Sequence, residues 1–221
     1  NTEVSLKASL EKIHQFVGTF LSPLDQKKLL VLRKDYAKNP LFGITKAPSF
    51  LNLFSDAFVF ETKFIKAYLA SYLHELFRID KRKEHWIPGG IQTYVMMKYV
   101  ETFYPDSKFL GTLNELNFLG FRPFKGYSAT QIGFNESFSF IYEWAEHGNR
   151  QQSDTLVREQ FTKSNELINS PYHVGSGLFY LDQYLGEKLL TEGLYSFSQN
   201  RGEQSFEKIL KEKSGKNLDW F

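Results

Sequence analysis

The sequence of 221 residues contains no cysteine. This absence excludes disulfide bonds, zinc ribbons and cysteine nucleophiles, and it leaves the compartment undecided. The sequence also lacks an apolar run long enough to span a membrane, so we expect no membrane span. Neither sign of charge dominates, because 27 Lys and Arg residues stand against 25 Asp and Glu residues. A net charge of +2 provides no global field for nucleic acid, and we expect no nucleic-acid partner.

Histidine is scarce too, and its spacing limits the metal sites that the chain can form. The five histidines are His14, His74, His85, His147 and His173, and no two lie within four residues of each other. A helical zinc site of the H-E-x-x-H type needs two histidines on one face, with a glutamate between them as general base. The pair His74-Glu75 begins this motif, but its fifth residue is Arg78, which cannot bind zinc. A site assembled from His74, His85 and distant carboxylates stays open as an alternative.

Aromatic residues are abundant, with 22 Phe, 12 Tyr and 3 Trp making up 17% of the chain. Because each ring buries a large area, we expect an aromatic-rich core, with some rings lining a groove. Hydrophobic residues (42%) and charged residues (24%) have the frequencies of an ordinary globular protein. The length permits one large domain or two small ones.

Apolar residues recur at helical spacing along most of the chain. This spacing predicts helices over residues 4–20, 64–77, 90–103, 108–117, 137–147, 153–169, 171–190 and 205–213. Pro88 fits the first turn of the third helix, and Ser205 and Gly215 fit the two ends of the last one. The best strand candidate is KLLVLR at residues 28–33, whereas residues 35–48 indicate a loop and residues 50–60 either a strand or a short helix. The expected fold class is α+β, predominantly α.

Three segments resemble the aminopeptidase N family of zinc metallopeptidases, the gluzincins. Residues 79–94 (IDKRKEHWIPGGIQTY) are similar to the family's charged connector and its Trp-Leu-x-Glu-Gly helix. Residues 171–186, which begin PYHVG and end YLG, resemble the Pro-Tyr-x-Lys-Gly segment and the helix behind it. The end of the chain, SGKNLDWF, resembles the end of the family's catalytic domain. The three segments occur in the family's order and lie between residue 79 and the end of the chain.

The resemblance implies a thermolysin-like metallopeptidase catalytic domain. Residues 1–221 would form a single peptidase-like domain with two lobes. The first, over residues 1–104, would be a small α/β lobe that bears strands, and the second, over residues 105–221, would be all-helical. The helix pair that binds zinc in the family would lie within residues 64–94, beside the cleft between the lobes.

The residues that bind zinc in the family are missing from this chain. The family's helix-to-helix spacing places H-E-x-x-H on Lys66, Ala67 and Ala70, and it places the third ligand, a glutamate, on Gly89. Zinc is the cofactor that the family implies, but its ligands are absent, so we expect no metal and no other cofactor. The family's Gly-x-Met-Glu-Asn stretch is not recognisable in residues 35–50. Tyr172 matches the tyrosine that stabilises the developing oxyanion and would be a remnant, so we expect no catalytic residue.

Two of these positions allow more than one interpretation. The Lys66 ammonium could occupy the space of the missing metal and pair with a carboxylate, or it could extend from a helix edge into solvent. A location in solvent, away from Tyr172, would rule out the first interpretation. Tyr172 could be a catalytic remnant or a ligand contact, but packing is the simpler role for a tyrosine without its metal.

We therefore expect an inactive relative of the zinc aminopeptidases that binds a peptide or protein in its inter-lobe cleft, as a binding or scaffolding module. One alternative is an active zinc-dependent aminopeptidase with displaced ligands, for which His74, Glu75 and His85 are the candidates. Another is a purely structural domain. An open cleft would favour binding, and a cleft filled by Phe or Tyr would favour the structural role. Because the chain begins with Asn1, we expect part of a longer product, secreted or periplasmic if a signal peptide has been removed.

Overall fold

The computed structural model describes residues 2–25, 28–31, 53–117 and 119–218. Within these ranges the chain forms α1 (Thr2–Phe20), α2 (Asp56–Leu76), α3 (Trp86–Phe103), α4 (Glu136–His147), α5 (Ser170–Leu185), α6 (Glu187–Gln199) and α7 (Phe206–Ser214). The same ranges contain no named β-strand, and an isolated β-bridge joins Lys108 to Gly133. The expectation of a predominantly helical fold is therefore confirmed. None of these helices is long and apolar enough to cross a membrane.

The predicted strand-bearing part of the first lobe falls largely outside the described residues. The strand prediction is wrong for residues 28–31, which have no regular secondary structure, and residues 32–33 lie outside the described ranges. The predicted loop over residues 35–48 lies outside them as well. So do residues 219–221, at the end of the segment that resembles the family's C-terminal motif.

The two helices of the predicted zinc-binding pair both begin earlier than their apolar spacing indicated. Helix α2 begins at Asp56, because the Ser55 hydroxyl accepts a hydrogen bond from the Phe58 amide at 3.3 Å and caps the first turn. The ambiguity between strand and helix is thus resolved as helix from residue 56 onward. Helix α3 begins at Trp86, and Pro88 lies in its first turn, where a missing amide hydrogen costs no helical hydrogen bond.

The prediction of a helix over residues 108–117 is wrong. This segment consists of turns with one 3₁₀ turn at Leu113–Glu115. Gly111 has a left-handed φ of 55°, which an α-helix cannot continue. The amide of Thr112 donates to the carbonyl of Leu53 at 2.9 Å, so a tertiary hydrogen bond replaces a helical one.

The predictions over residues 153–190 are wrong in two places. Residues 153–162 form turns and a 3₁₀ helix, Arg158–Gln160, in part because polar side chains there bond to nearby backbone groups. The helix starts at residue 163, passes through a π-helical turn at Asn165–Asn169 and continues as α5. The helix predicted over residues 171–190 is two helices, because Gly186 between α5 and α6 has a φ of 94°.

The remaining helix predictions, over residues 4–20, 137–147 and 205–213, are confirmed with boundaries shifted by at most two residues. Ser205 occupies the N-cap position of α7, but its side chain makes no capping hydrogen bond. Gly215 ends α7 in the left-handed conformation, with a φ of 63°, as its position in the sequence predicted.

Helix α3 lies at the centre of a hydrophobic core to which all seven helices contribute. Its residues 90–100 are almost all buried. Helix α5 packs closely against it: a Cβ atom on Gly90 would collide with Val174, and a Cβ atom on Gly175 would collide with Thr93. The core therefore spans the predicted boundary between residues 104 and 105, although the division into two lobes stays a prediction.

A buried carboxylate, that of Glu61 on α2, joins the first three helices. It accepts hydrogen bonds from Ser9 (2.7 Å), Lys12 (2.6 Å), Tyr99 (2.6 Å) and Tyr104 (2.6 Å). Burial alone would raise the pKa of Glu61, but these hydrogen bonds outweigh it and hold the pKa below its usual value. The carboxylate is therefore ionised in the folded protein at neutral pH.

We expect Gly175→Ala to lower the free energy of unfolding by about 2 kcal/mol, because the added methyl group would collide with Thr93 and push α5 away from α3. Urea denaturation monitored by circular dichroism measures this. Gly18→Ala is the matched control, since Gly18 is also helical but has no atom within 4 Å of an added Cβ. It should be neutral or stabilise by about 0.5–1 kcal/mol. Equal effects of the two substitutions would contradict the close packing of α3 and α5.

We expect Glu61→Gln to lower the free energy of unfolding by about 2 kcal/mol at pH 7, because charge-assisted hydrogen bonds become neutral ones. The folded-state pKa of Glu61 lies below its unfolded value, so its contribution is complete above the unfolded pKa and is lost as pH falls through the folded pKa. The deficit should therefore shrink as denaturation is repeated below about pH 4. Glu11→Gln, at a carboxylate 61% exposed, should change stability little at any pH.

Candidate functional site

A cavity of about 530 Å³ lies between α2, the connector that follows it, the first turns of α3 and residues 158–171. We call it the Lys66 cavity. Its volume falls in the range of pockets that bind small ligands or peptide side chains. The floor is largely apolar and includes Ala67, Leu73, Phe77 and Pro171.

The positions that match the family's zinc ligands and base all line this cavity. Lys66, Ala67 and Ala70 lie on one side of α2, since residues one turn apart share a helix face. Gly89 approaches them from the first turn of α3, and a Cβ atom there would lie 3.2 Å from Pro171 Cγ. The side-chain amide of Gln92 donates a hydrogen bond to the Lys66 backbone carbonyl at 2.6 Å and so holds the two helices together beside the cavity. The four residues that the resemblance matches to the zinc site thus line a single cavity.

Zinc does not fit the residues at these positions. Lys66, Ala67, Ala70 and Gly89 offer no carboxylate, imidazole or thiolate, which are the groups that bind zinc in proteins. Among the described residues, no group of three His, Cys, Asp or Glu side chains is arranged to hold a metal ion.

The histidines proposed as displaced ligands, His74 and His85, also line the cavity but make other contacts. Lys81 donates hydrogen bonds to His74 Nε2 at 3.1 Å and to the His74 backbone carbonyl at 3.2 Å, so a cation contacts one of the two imidazole nitrogens that could bind a metal. The His85 ring packs edge to face against Phe161, with ring centroids 4.6 Å apart. Burial lowers the pKa of His85, which keeps its imidazole neutral at pH 7.

The Lys66 side chain is partly buried and lies beside Tyr172. Its Nζ lies 5.8 Å from the centroid of the Tyr172 ring, a cation–π distance. Burial lowers the pKa of Lys66 to about 7, so about half of the amines are charged at neutral pH. Because Lys66 lies close to Tyr172, the interpretation that it occupies the space of a metal is not ruled out. Its pairing with a carboxylate stays a prediction.

Tyr172 is a packing residue in this structure. Only 1% of it is exposed, and its ring meets Phe138 edge to face with centroids 4.7 Å apart. It lies at cation–π distance from Lys66 and is not part of the cavity wall. Its burial outside the cavity wall favours the structural interpretation over the catalytic remnant.

The sequence did not reveal the charged rim of the cavity. Arg158, Lys163 and Glu166 approach from a segment that was predicted to be a plain polar helix. Arg158 pairs with Glu166 at 2.6 Å. Glu166 also belongs to the π-helical turn Asn165–Asn169, a rare geometry that occurs often at functional sites. The only sequence signal for this rim is the resemblance of the Pro171-Tyr172 segment that follows it.

Comparisons with protein-family models, with curated proteins and with solved structures found no match. The relation to the zinc aminopeptidases therefore stays a prediction from the three sequence segments.

We expect the Lys66 amine to titrate near pH 7, because burial holds its pKa far below that of an ordinary lysine. Competitive acetylation at a series of pH values, read by mass spectrometry, measures the reactivity of this amine against pH. The curve should level off by about pH 8 in the folded protein. The same residue in urea-denatured protein is the control, and its curve should keep rising beyond about pH 9. Superimposable curves would show that burial does not affect Lys66.

Proposed function

We propose that this chain is a non-catalytic relative of the zinc aminopeptidases, with a thermolysin-like arrangement of α2 and α3, that binds a peptide or a segment of a protein in the Lys66 cavity. The strand-bearing first lobe and the cleft between two lobes belong to this proposal. The chain would act as a binding or scaffolding module, and it would need no metal.

One observation carries the proposal: four positions aligned with a zinc site by sequence alone line the same cavity, and none of them can bind zinc. Chance alignment would not be expected to select residues from two helices that share one cavity wall. The cavity also retains about 530 Å³ of space. An open cavity favours a binding role over a purely structural one, for which apolar side chains would be expected to fill it.

The rival function, an active aminopeptidase, needs a metal site elsewhere. Its candidates, His74, Glu75 and His85, form no group of three ligands, and the imidazole of His74 already contacts Lys81. The non-catalytic role therefore accounts for the geometry with fewer assumptions.

Zinc binding tests both the loss of the metal and the thermolysin-like arrangement. After dialysis against zinc, the natural protein should retain no stoichiometric metal and should not cleave aminoacyl substrates. The triple variant Lys66→His, Ala70→His, Gly89→Glu should retain one zinc per chain, at least about tenfold more tightly than the natural protein, because it would restore three ligands around one point.

The control is the variant Lys66→His, Ser71→His, Gly89→Glu, which has the same ligands but places the second histidine on a helix face outside the cavity wall. Equal zinc binding by the two variants would mean that α2 and α3 are not arranged as in the zinc aminopeptidases. Tightly held zinc with turnover in the natural protein would instead establish the active enzyme. Circular dichroism checks that both variants fold.

A further inference from the structure

Positive charge predominates around the Lys66 cavity. Lys66, Lys81, Arg158 and Lys163 line it, against a single carboxylate, that of Glu166. This excess is local, because the whole chain has a net charge of only +2. A concave site with an excess of positive charge and apolar walls concentrates anions, since the electric field is strongest where water is partly excluded.

The cations differ in how deeply they lie. Lys81 and Lys163 are exposed at the rim, and Arg158 is held by Glu166. Lys66 is the least exposed of the four, and its Nζ lies 5.8 Å from the centroid of the buried Tyr172 ring. An anion that reaches Lys66 must therefore leave water, and a charge-assisted hydrogen bond to an ammonium is strongest in such surroundings.

From this arrangement we infer that the Lys66 cavity binds a carboxylate beside an apolar side chain, as found at a peptide's C-terminus or at an acidic residue within an apolar segment, with the carboxylate on Lys66. The inference rests on the proposed binding role and specifies its ligand. The apolar floor formed by Leu73, Phe77 and Pro171 would take the neighbouring side chain. The rim cations would guide the anion inward.

Other anions fit this site less well. A nucleic acid or polyphosphate needs several exposed cations along an open surface, whereas here the cations surround a cavity with largely apolar walls. A single carboxylate carries one charge, and its apolar neighbour gains from burial on the cavity floor. The volume of about 530 Å³ suits one or two side chains and not an extended polyanion.

Binding of a carboxylate should depend on pH through Lys66. The ammonium form binds the anion, and it is lost as pH rises through a pKa of about 7, so affinity should fall between about pH 6 and pH 9. The other titratable or charged groups around the cavity are His74, Lys81, His85, Arg158, Lys163 and Glu166. Burial lowers the pKa of His85, so this ring stays neutral above pH 7. Lys66→Arg keeps its charge throughout and should flatten the dependence above pH 7.

Equilibrium dialysis with three pools of acetylated tetrapeptides, read by mass spectrometry, tests the inference. All pools contain random apolar residues: the first has a free C-terminus, the second is amidated, and the third is amidated with one internal glutamate. We expect retention of the first or third pool at least tenfold above the second. Preference for the first pool identifies a C-terminal carboxylate, and preference for the third identifies an acidic side chain.

Variants separate this inference from the proposed function. Lys66→Met should reduce retention of the carboxylate pools at least tenfold, Lys66→Arg should restore it, and Lys63→Met, on the same helix but outside the cavity wall, should have no effect. Ala70→Trp, which fills the cavity, should abolish all binding. Equal retention of the neutral pool, abolished by Ala70→Trp, would overturn the carboxylate inference and leave the binding role intact. Retention of no pool would overturn both.

Discussion

The close approach of α3 and α5 is the constraint on which the site depends. Gly90 and Gly175 remove two Cβ atoms from the contact, so that Val174 and Thr93 can occupy the space between the helix axes. This contact brings the first turns of both helices together and places Gly89 against Pro171. One wall of the cavity is thus a direct product of helix packing. A cavity built on helices is held more rigidly than one built on loops.

Polar groups inside the core determine which helices are neighbours. Glu61 connects α2 to α1 and α3 through four side-chain donors, two of them tyrosines of or next to α3. Each donor would be costly to leave without a partner in the core, so a different arrangement of these helices would lose several hydrogen bonds at once. Apolar packing alone tolerates rearrangement more easily. The carboxylate therefore contributes specificity as well as stability, and it fixes the helix that carries Lys66.

The sequence allowed the helix pair α2–α3 and the residues of one cavity wall to be predicted, but not the rest of the site. Helical spacing and Pro88 are local signals that indicated the two helices, whereas Lys66, Ala70 and Gly89 were singled out by the resemblance to the zinc aminopeptidases. The helix predicted over residues 108–117 failed because Gly111 and a tertiary hydrogen bond overrode its apolar spacing. The helix predicted over residues 153–162, which precede and include part of the cavity rim, was wrong for a related reason. The polar side chains there bond to nearby backbone groups, and the position of the segment depends on the packing of α5. Such contacts have no period along the chain.

Two lysines in this fold, the buried Lys98 and the partly buried Lys66, differ in what sets the pKa of the amine. Burial lowers the affinity of any amine for its proton, but at Lys98 the hydrogen bonds that the ammonium donates to Glu101 and Asp182 outweigh burial and raise the pKa. That charge is satisfied within the protein and serves to join α3 to α5. At Lys66, by contrast, burial sets the pKa and lowers it to about 7. A carboxylate that binds beside Lys66 would favour the charged form of the amine, as Glu101 and Asp182 do at Lys98, so its binding would draw a proton onto the amine.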